Sequence, residues 1–164
     1  MEFKILSHAG LLVKNKTGKS LICDPWLIGS SYWRSWWNYP PVSKDLINSL
    51  HPDFIYLTHI HWDHFHGDSL KKFPPNIPII IPKGNYTRMK DDLFYLGYNN
   101  IIELKHGERL PTSQGSHIND LPGLFFTNKP AWDKILNSIC RSHLTLLKLR
   151  NITVKYKCSL CIFL

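Results

Sequence analysis

Thr58-His59-Ile60-His61-Trp62-Asp63-His64-Phe65-His66-Gly67 decides the reading of this chain. Three imidazoles and a carboxylate, His59, His61, Asp63 and His64, fall within six positions, and His66 follows at once. Imidazole nitrogen and carboxylate oxygen suit zinc and, less exclusively, iron or manganese. So many titratable groups in one stretch have little structural use unless a cation gathers them. The alternative is a surface loop that happens to be rich in histidine.

The preceding segment, Asp53-Phe-Ile-Tyr-Leu-Thr58, is apolar and β-prone and reads as a buried strand. The histidines therefore sit beyond a strand's C-terminal end, where α/β proteins favour ligand sites. In extended backbone, side chains at i and i+2 share a face, so His59 and His61 can hold one ion. Asp63 and His64 are adjacent and in a tight loop can reach a second ion. Two ions about 3.5–4 Å apart are the arrangement this suggests, with a solvent-derived nucleophile between them.

The motif H-x-H-x-D-H after a strand resembles that of the metallo-β-lactamase fold superfamily. The likeness extends to Gly18-Lys19-Ser20-Leu21-Ile22-Cys23-Asp24-Pro25-Trp26-Leu27-Ile28-Gly29, to the aromatic stretch with Trp36-Trp37 and Pro40-Pro41, and to the short helix expected before the metal strand. This order is similar to the hydrolase-like domain of CMP-N-acetylneuraminate hydroxylase and its stand-alone bacterial relatives. It is more loosely similar to the ascorbate-phosphate lactonase and N-acyl-phosphatidylethanolamine phosphodiesterase groups.

The resemblance implies that His59 and His61 hold a first metal and that Asp63 and His64 hold a second, with Asp63 also touching the attacking water as the catalytic residue. It implies that Asp24 orients the histidine loop from behind the ligands. His8, in Ser-His-Ala-Gly, matches a histidine near the site, and a core or surface role serves it equally well. The implied activity is a metal-dependent hydrolase of an ester, lactone or phosphodiester, with Zn2+ (one or two ions) as the cofactor.

The superfamily completes its site with a later His, an Asp and a last His, each after a strand, and the resemblance places none of them here. His117 follows no apolar strand, and His143 belongs to a basic amphipathic stretch. A full domain of this fold also takes about 200 residues, against 164 here. The expectation is therefore an α/β fold that is the N-terminal half of a metallo-β-lactamase-type αββα sandwich, residues 1–110, followed by an atypical basic tail, 111–164. Truncation, with a changed reading frame after about Leu110, accounts for that pattern. The competing reading is a truncated, catalytically inactive metal-binding fragment, whose uncovered apolar sheet face would invite homo-oligomers.

The chain is 43% apolar and 20% charged, a composition that supports a globular core. Its formal charge is +8. Residues 1–110 carry 13 Lys and Arg against 10 acids, and 111–164 carry 7 against 2, so the excess belongs disproportionately to the tail. The positive residues are scattered and form no run, so nucleic acid is not favoured as a partner. A small-molecule substrate, anionic in one reading, is.

Three of the four cysteines lie in the last 25 residues. Cys158-x-x-Cys161 lacks the second pair of a zinc knuckle. Cys23 reads as a small buried apolar residue. No disulfide framework, secretory segment or membrane span is expected, which fits the cytoplasm.

Alternation of apolar residues predicts strands over 2–6, 10–15 and 19–23, an antiparallel meander turned at Thr17-Gly18. A long loop over 24–42 follows, whose aromatics either wall a substrate pocket or pack on a sheet edge. Ser43 caps a helix over 44–50. Asp68 or Ser69 caps a second short helix before Pro74. A strand over 77–81, an amphipathic helix over 85–96 ended by Gly97, and a strand over 100–104 complete the β–α–β alternation. A basic helix is expected over 131–149.

Overall fold

Strands β1 (Glu2–Ile5), β2 (Leu11–Lys14) and β3 (Ser20–Cys23) pair antiparallel in that order, with Leu11 opposite Cys23 and Phe3 opposite Val13. The turn between β2 and β3 uses Gly18 at φ 88°, a left-handed conformation that glycine enters without steric penalty. The structure is a computed structural model that describes residues 2–16, 18–105 and 108, all within one compact unit.

After β3 the connections change character. β6 (Phe54–Tyr56) lies parallel to β3, β7 (Ile79–Pro82) parallel to β6, and β8 (Ile101–Leu104) parallel to β7, giving one six-stranded sheet in the order β1-β2-β3-β6-β7-β8. Parallel neighbours need crossovers, and helices α1 (Lys44–Asn48), α2 (Gly67–Leu70) and α3 (Arg88–Tyr95) lie in them. This is the mixed α/β layering expected of the metallo-β-lactamase type.

Ile22, Ile55, Leu57, Ile79 and Ile81 project from one sheet face into a core with Leu50, Leu70, Phe73, Leu93 and Tyr98. Ile80, between two members of that core, is also buried, so β7 is covered on both faces as parallel strands are. Each such side chain contributes roughly 1.5–3 kcal/mol on burial. That packing fixes the C-terminal ends of β3 and β6, from which the site is built.

The helix ends follow from their cap residues. Ser43 Oγ accepts from Leu46 N–H at 3.2 Å, as its place before α1 predicts. α3 buries Leu93 and packs Met89 and Leu96 on the core. It ends where Gly97, at φ 95°, lets Tyr98 N–H reach back to Leu93 C=O.

Two expectations need correction. The cap of α2 is His66, whose Nδ1 accepts from Ser69 N–H at 3.2 Å, rather than Asp68 or Ser69. The helix begins at Gly67, so both of those residues already lie inside it. The segment 24–42 is also not loop throughout: β4 (Ser30–Ser31) and β5 (Trp36–Trp37) form a separate two-stranded hairpin. His117, His143, the helix expected over 131–149, Cys140, Cys158 and Cys161 lie outside the described residues. No helix among the described residues is long and apolar enough to cross a membrane.

Candidate metal centre

Asp24 ends β3 in the left-handed region, at φ 42°, with its N–H on Tyr56 C=O of the neighbouring strand at 3.0 Å. The turn points its carboxylate across to the end of β6. There Oδ1 accepts from Thr58 N–H at 2.8 Å and Oδ2 from the Thr58 hydroxyl at 2.7 Å. The next residues close tightly, with His64 and Phe65 N–H both on His61 C=O at 2.9 and 2.7 Å. That turn folds His64 back over His59, ring centroids 4.0 Å apart.

The donor atoms then fall into two pairs. His59 Nε2 faces His61 Nδ1 at 2.9 Å, and His64 Nε2 faces Asp63 Oδ2 at 3.5 Å. Among the described residues no group of three or more His, Cys, Asp or Glu side chains is arranged to hold an ion. What exists is two pairs, grouped as the spacing of the motif suggests.

The contacts behind the rings set their tautomers. A carboxylate only accepts hydrogen bonds, so Thr58 O–H donates to Asp24. His59 Nδ1, 2.8 Å from Thr58 Oγ1, must then carry the proton and donate to that oxygen. His64 Nδ1, 2.8 Å from Asp24 Oδ2, is likewise the protonated nitrogen. Each ring, when neutral, thus turns a lone pair at Nε2 outward to the donor pairs, the protonation state a metal ligand needs.

This arrangement bears on whether a divalent ion fits. Two nitrogens on one tetrahedral zinc, each about 2.0–2.1 Å from it, stand about 3.3 Å apart. The two pairs, at 2.9 and 3.5 Å, bracket that value, so a shift of a few tenths of an ångström serves each. Donor type and pairing fit once His61 gives up the Nδ1 proton that His59 Nε2 accepts; the described residues supply two donors per ion.

The half-buried His59 and the buried His64 are tuned oppositely. Desolvation by burial, then the nearby His64, holds His59 below the ordinary histidine pKa. Burial also works against the charge of His64, but the hydrogen bond and negative charge of Asp24, with Asp63 adding, carry its pKa above the ordinary value.

His8 lies at the rim, with Nε2 3.7 Å from Asp63 Oδ2 and its ring stacked on Trp36 at 5.8 Å. His66 is turned away from the donor pairs. Its Nδ1 caps α2, and its Nε2 lies 3.3 Å from Ser30 C=O.

Sequence reasoning missed Tyr32, whose hydroxyl donates to Asp63 Oδ1 at 2.7 Å. Burial, then the hydrogen bond to Asp63, pushes its pKa up to about 12. The aromatic stretch was the only signal, and it does not single this ring out. Tyr32, Trp33, Arg34, His61, Trp62 and Arg88 are among the residues lining a groove of about 680 Å3 beside the loop, so part of the stretch does wall a pocket.

Kinship rests on the length of the chain that agrees. Residues 2–119 match the family model described as the beta-lactamase superfamily domain. The chain belongs to that family. A Mycolicibacterium smegmatis protein named as a Rieske 2Fe-2S iron-sulfur protein is 29% identical over 107 residues, 63% of this chain and 20% of that one. The human inactive cytidine monophosphate-N-acetylneuraminic acid hydroxylase is 37% identical over 92 residues, 54% of this chain and 18% of its own. The chain thus spans about a fifth of the length of these curated relatives.

Among solved structures, an isothiocyanate hydrolase from Delia radicum gut bacteria superposes with a TM-score of 0.51 at 21% identity, over 67% of this chain and 43% of that one. A Veillonella parvula protein described as a "possible metal-dependent hydrolase" gives 0.51 at 16%, over 66% and 44%. At these identities the likeness shows the fold alone: this beta-lactamase superfamily member shares its architecture with hydrolases.

Proposed function

We propose that the chain is a metal-dependent hydrolase whose His59 and His61 hold one divalent ion and whose Asp63 and His64 hold a second, zinc being the ion the donors suit best, with iron or manganese as alternatives. The observation that carries this reading is the proton accounting. Asp24 and Thr58 take up the rear nitrogens of His64 and His59, so that each ring in its neutral form offers an Nε2 lone pair to the donor pairs. Bound there, a divalent ion supplies Lewis acidity toward the substrate oxygen and acidifies water enough for attack near neutral pH.

The chain's own residues do the rest. Asp63, whose Oδ2 would hold the second ion, would also orient the attacking water and take its proton. Asp24 holds the His64 ring and the Thr58 hydroxyl from behind the donor pairs. The groove beside His61, with Trp33 and Trp62 on its wall and Arg34 and Arg88 in its lining, suits a small ester, lactone or phosphodiester with an anionic group.

A second reading, a chain that binds metal without turning over substrate, draws on the donor count. Catalytic zinc takes three protein ligands as a rule, and the described residues supply two per ion.

Hydrolysis by the zinc-loaded chain separates the two. The first reading expects turnover of at least one aryl ester, lactone or bis-aryl phosphodiester that is lost in His59→Ala and falls at least a hundredfold in Asp63→Asn. Stoichiometric zinc with no turnover of any of them leaves the second. Turnover that survives both substitutions overturns the assignment of these residues.

A further inference from the structure

The hairpin β4–β5 stands apart from the main sheet and meets the histidine loop through Tyr32, Trp33 and the Ser30 carbonyl. Its turn is built from Tyr32, Trp33 and Arg34 at φ 49°, 53° and 66°, three consecutive non-glycine residues in the left-handed region. Such residues are uncommon singly, and each costs of order 1 kcal/mol or more unless its surroundings hold it there. Those surroundings are visible here. The Tyr32 ring stacks on Trp62 at 5.8 Å and meets Trp36 edge-on at 5.0 Å, while Trp33 packs edge-on against Trp62 at 4.7 Å. The left-handed turn thus directs the Tyr32 hydroxyl inward, onto a carboxylate that is itself buried.

We propose that Tyr32 is a positioning residue for Asp63, through the hydrogen bond from its hydroxyl to Oδ1. The inference rests on the metal-binding reading above. A carboxylate has two oxygens and rotates about its own bond unless something holds it. Tyr32 takes Oδ1 at 2.7 Å, so Oδ2 is the oxygen left toward His64 Nε2 at 3.5 Å and toward His8 Nε2 at 3.7 Å. The hydroxyl does for Asp63 what Asp24 does for His64: it fixes the ligand from the side away from the ion. Because Tyr32 also lines the groove, the wall that receives substrate and the anchor of the carboxylate are one residue.

The test is cobalt(II) titration of the full chain, followed by visible absorption, for the parent, Tyr32→Phe and Tyr39→Phe. Tyr32→Phe keeps the ring and its stacking and removes only the donor. The expected result is a tenfold to hundredfold weaker uptake at the ion held by Asp63 and His64, with a changed band shape and with the first ion's affinity kept. Tyr39, exposed and outside the site, should leave both unchanged.

Parent-like titration by Tyr32→Phe, alongside loss of uptake in His59→Ala and Asp63→Ala, overturns this inference and leaves the metal reading standing. Parent-like behaviour of all the variants, or no uptake by the parent, overturns both. Should Tyr32→Phe not fold, 3-fluorotyrosine at position 32 alone keeps the contacts and acidifies the donor. An affinity shift of about threefold or more is then expected, and an unchanged titration overturns the role.

Discussion

Asp24 Oδ2 stands 2.8 Å from His64 Nδ1 and also accepts the Thr58 hydroxyl at 2.7 Å, so one buried oxygen governs both rings that point at the donor pairs. Asp24→Asn tolerates the left-handed backbone, since asparagine enters that region readily. It nevertheless presents an amide where one acceptor oxygen stood, which favours the other tautomer of His64 and removes the Nε2 lone pair. Metal affinity should fall about tenfold to a hundredfold, measured by competition with a chromophoric chelator. Asp24→Ala should also cost about 3 kcal/mol in chemical denaturation, because buried donors on Thr58 and His64 lose their acceptor. Parent-like affinity in Asp24→Asn would contradict the proton accounting.

Ser69 is fully buried, and its Oγ accepts from Leu27 N–H at 2.8 Å and Ile28 N–H at 3.3 Å while lying 2.9 Å from His66 Nδ1. It ties the segment after β3 to the start of α2. Ser69→Ala should lower the urea midpoint by the equivalent of about 1–3 kcal/mol, with an unchanged denaturant slope and unchanged metal content. A variant as stable as the parent would mean that these amides find other acceptors.

Asp53 gives a pH test remote from the metal. Burial works against its charge, but the hydrogen bond from Lys19 at 2.6 Å, that from Ser20 N–H at 2.9 Å, the Lys19 charge and the Ser20 hydroxyl outweigh it. They hold its carboxyl below the ordinary value of 3.8. A lowered folded pKa means stability that is fully present above the unfolded value and lost as pH falls through the folded one. The parent's advantage over Asp53→Asn should therefore be flat from pH 7 to about 5 and shrink below about 4. Lys19 is partly in solvent, so the plateau should be only about 1 kcal/mol. An advantage that grows on acidification would contradict the sign.

Much of this fold is legible in the chain because its signals are local. Ile79 and Ile81 alternate into the core, Ser43 precedes a helix it caps, and Gly97 stands where a helix must stop. Strand and helix ends move by one to three residues, as with the 85–96 helix observed over Arg88–Tyr95. The pairing of His59 with His61 follows from a period of two.

What the chain hid depends on backbone that breaks local rules. The β4–β5 turn carries no glycine, so Tyr32, Trp33 and Arg34 give no turn signal although all three are left-handed. His66 follows the four candidate ligands in the chain without an assigned role, and only the fold shows its ring facing Ser69. Tyr32 and Asp63 are 31 positions apart, and only the fold brings them together.

The central claim is that the His59–His61 and Asp63–His64 pairs grip divalent ions, and elemental analysis of the full chain after zinc loading and equilibrium dialysis tests it most directly. The account predicts about one to two zinc equivalents per chain, falling by about one in a His59→Ala, His61→Ala double variant that keeps its fold. A folded parent that retains no zinc, or a double variant that retains as much as the parent, would contradict it.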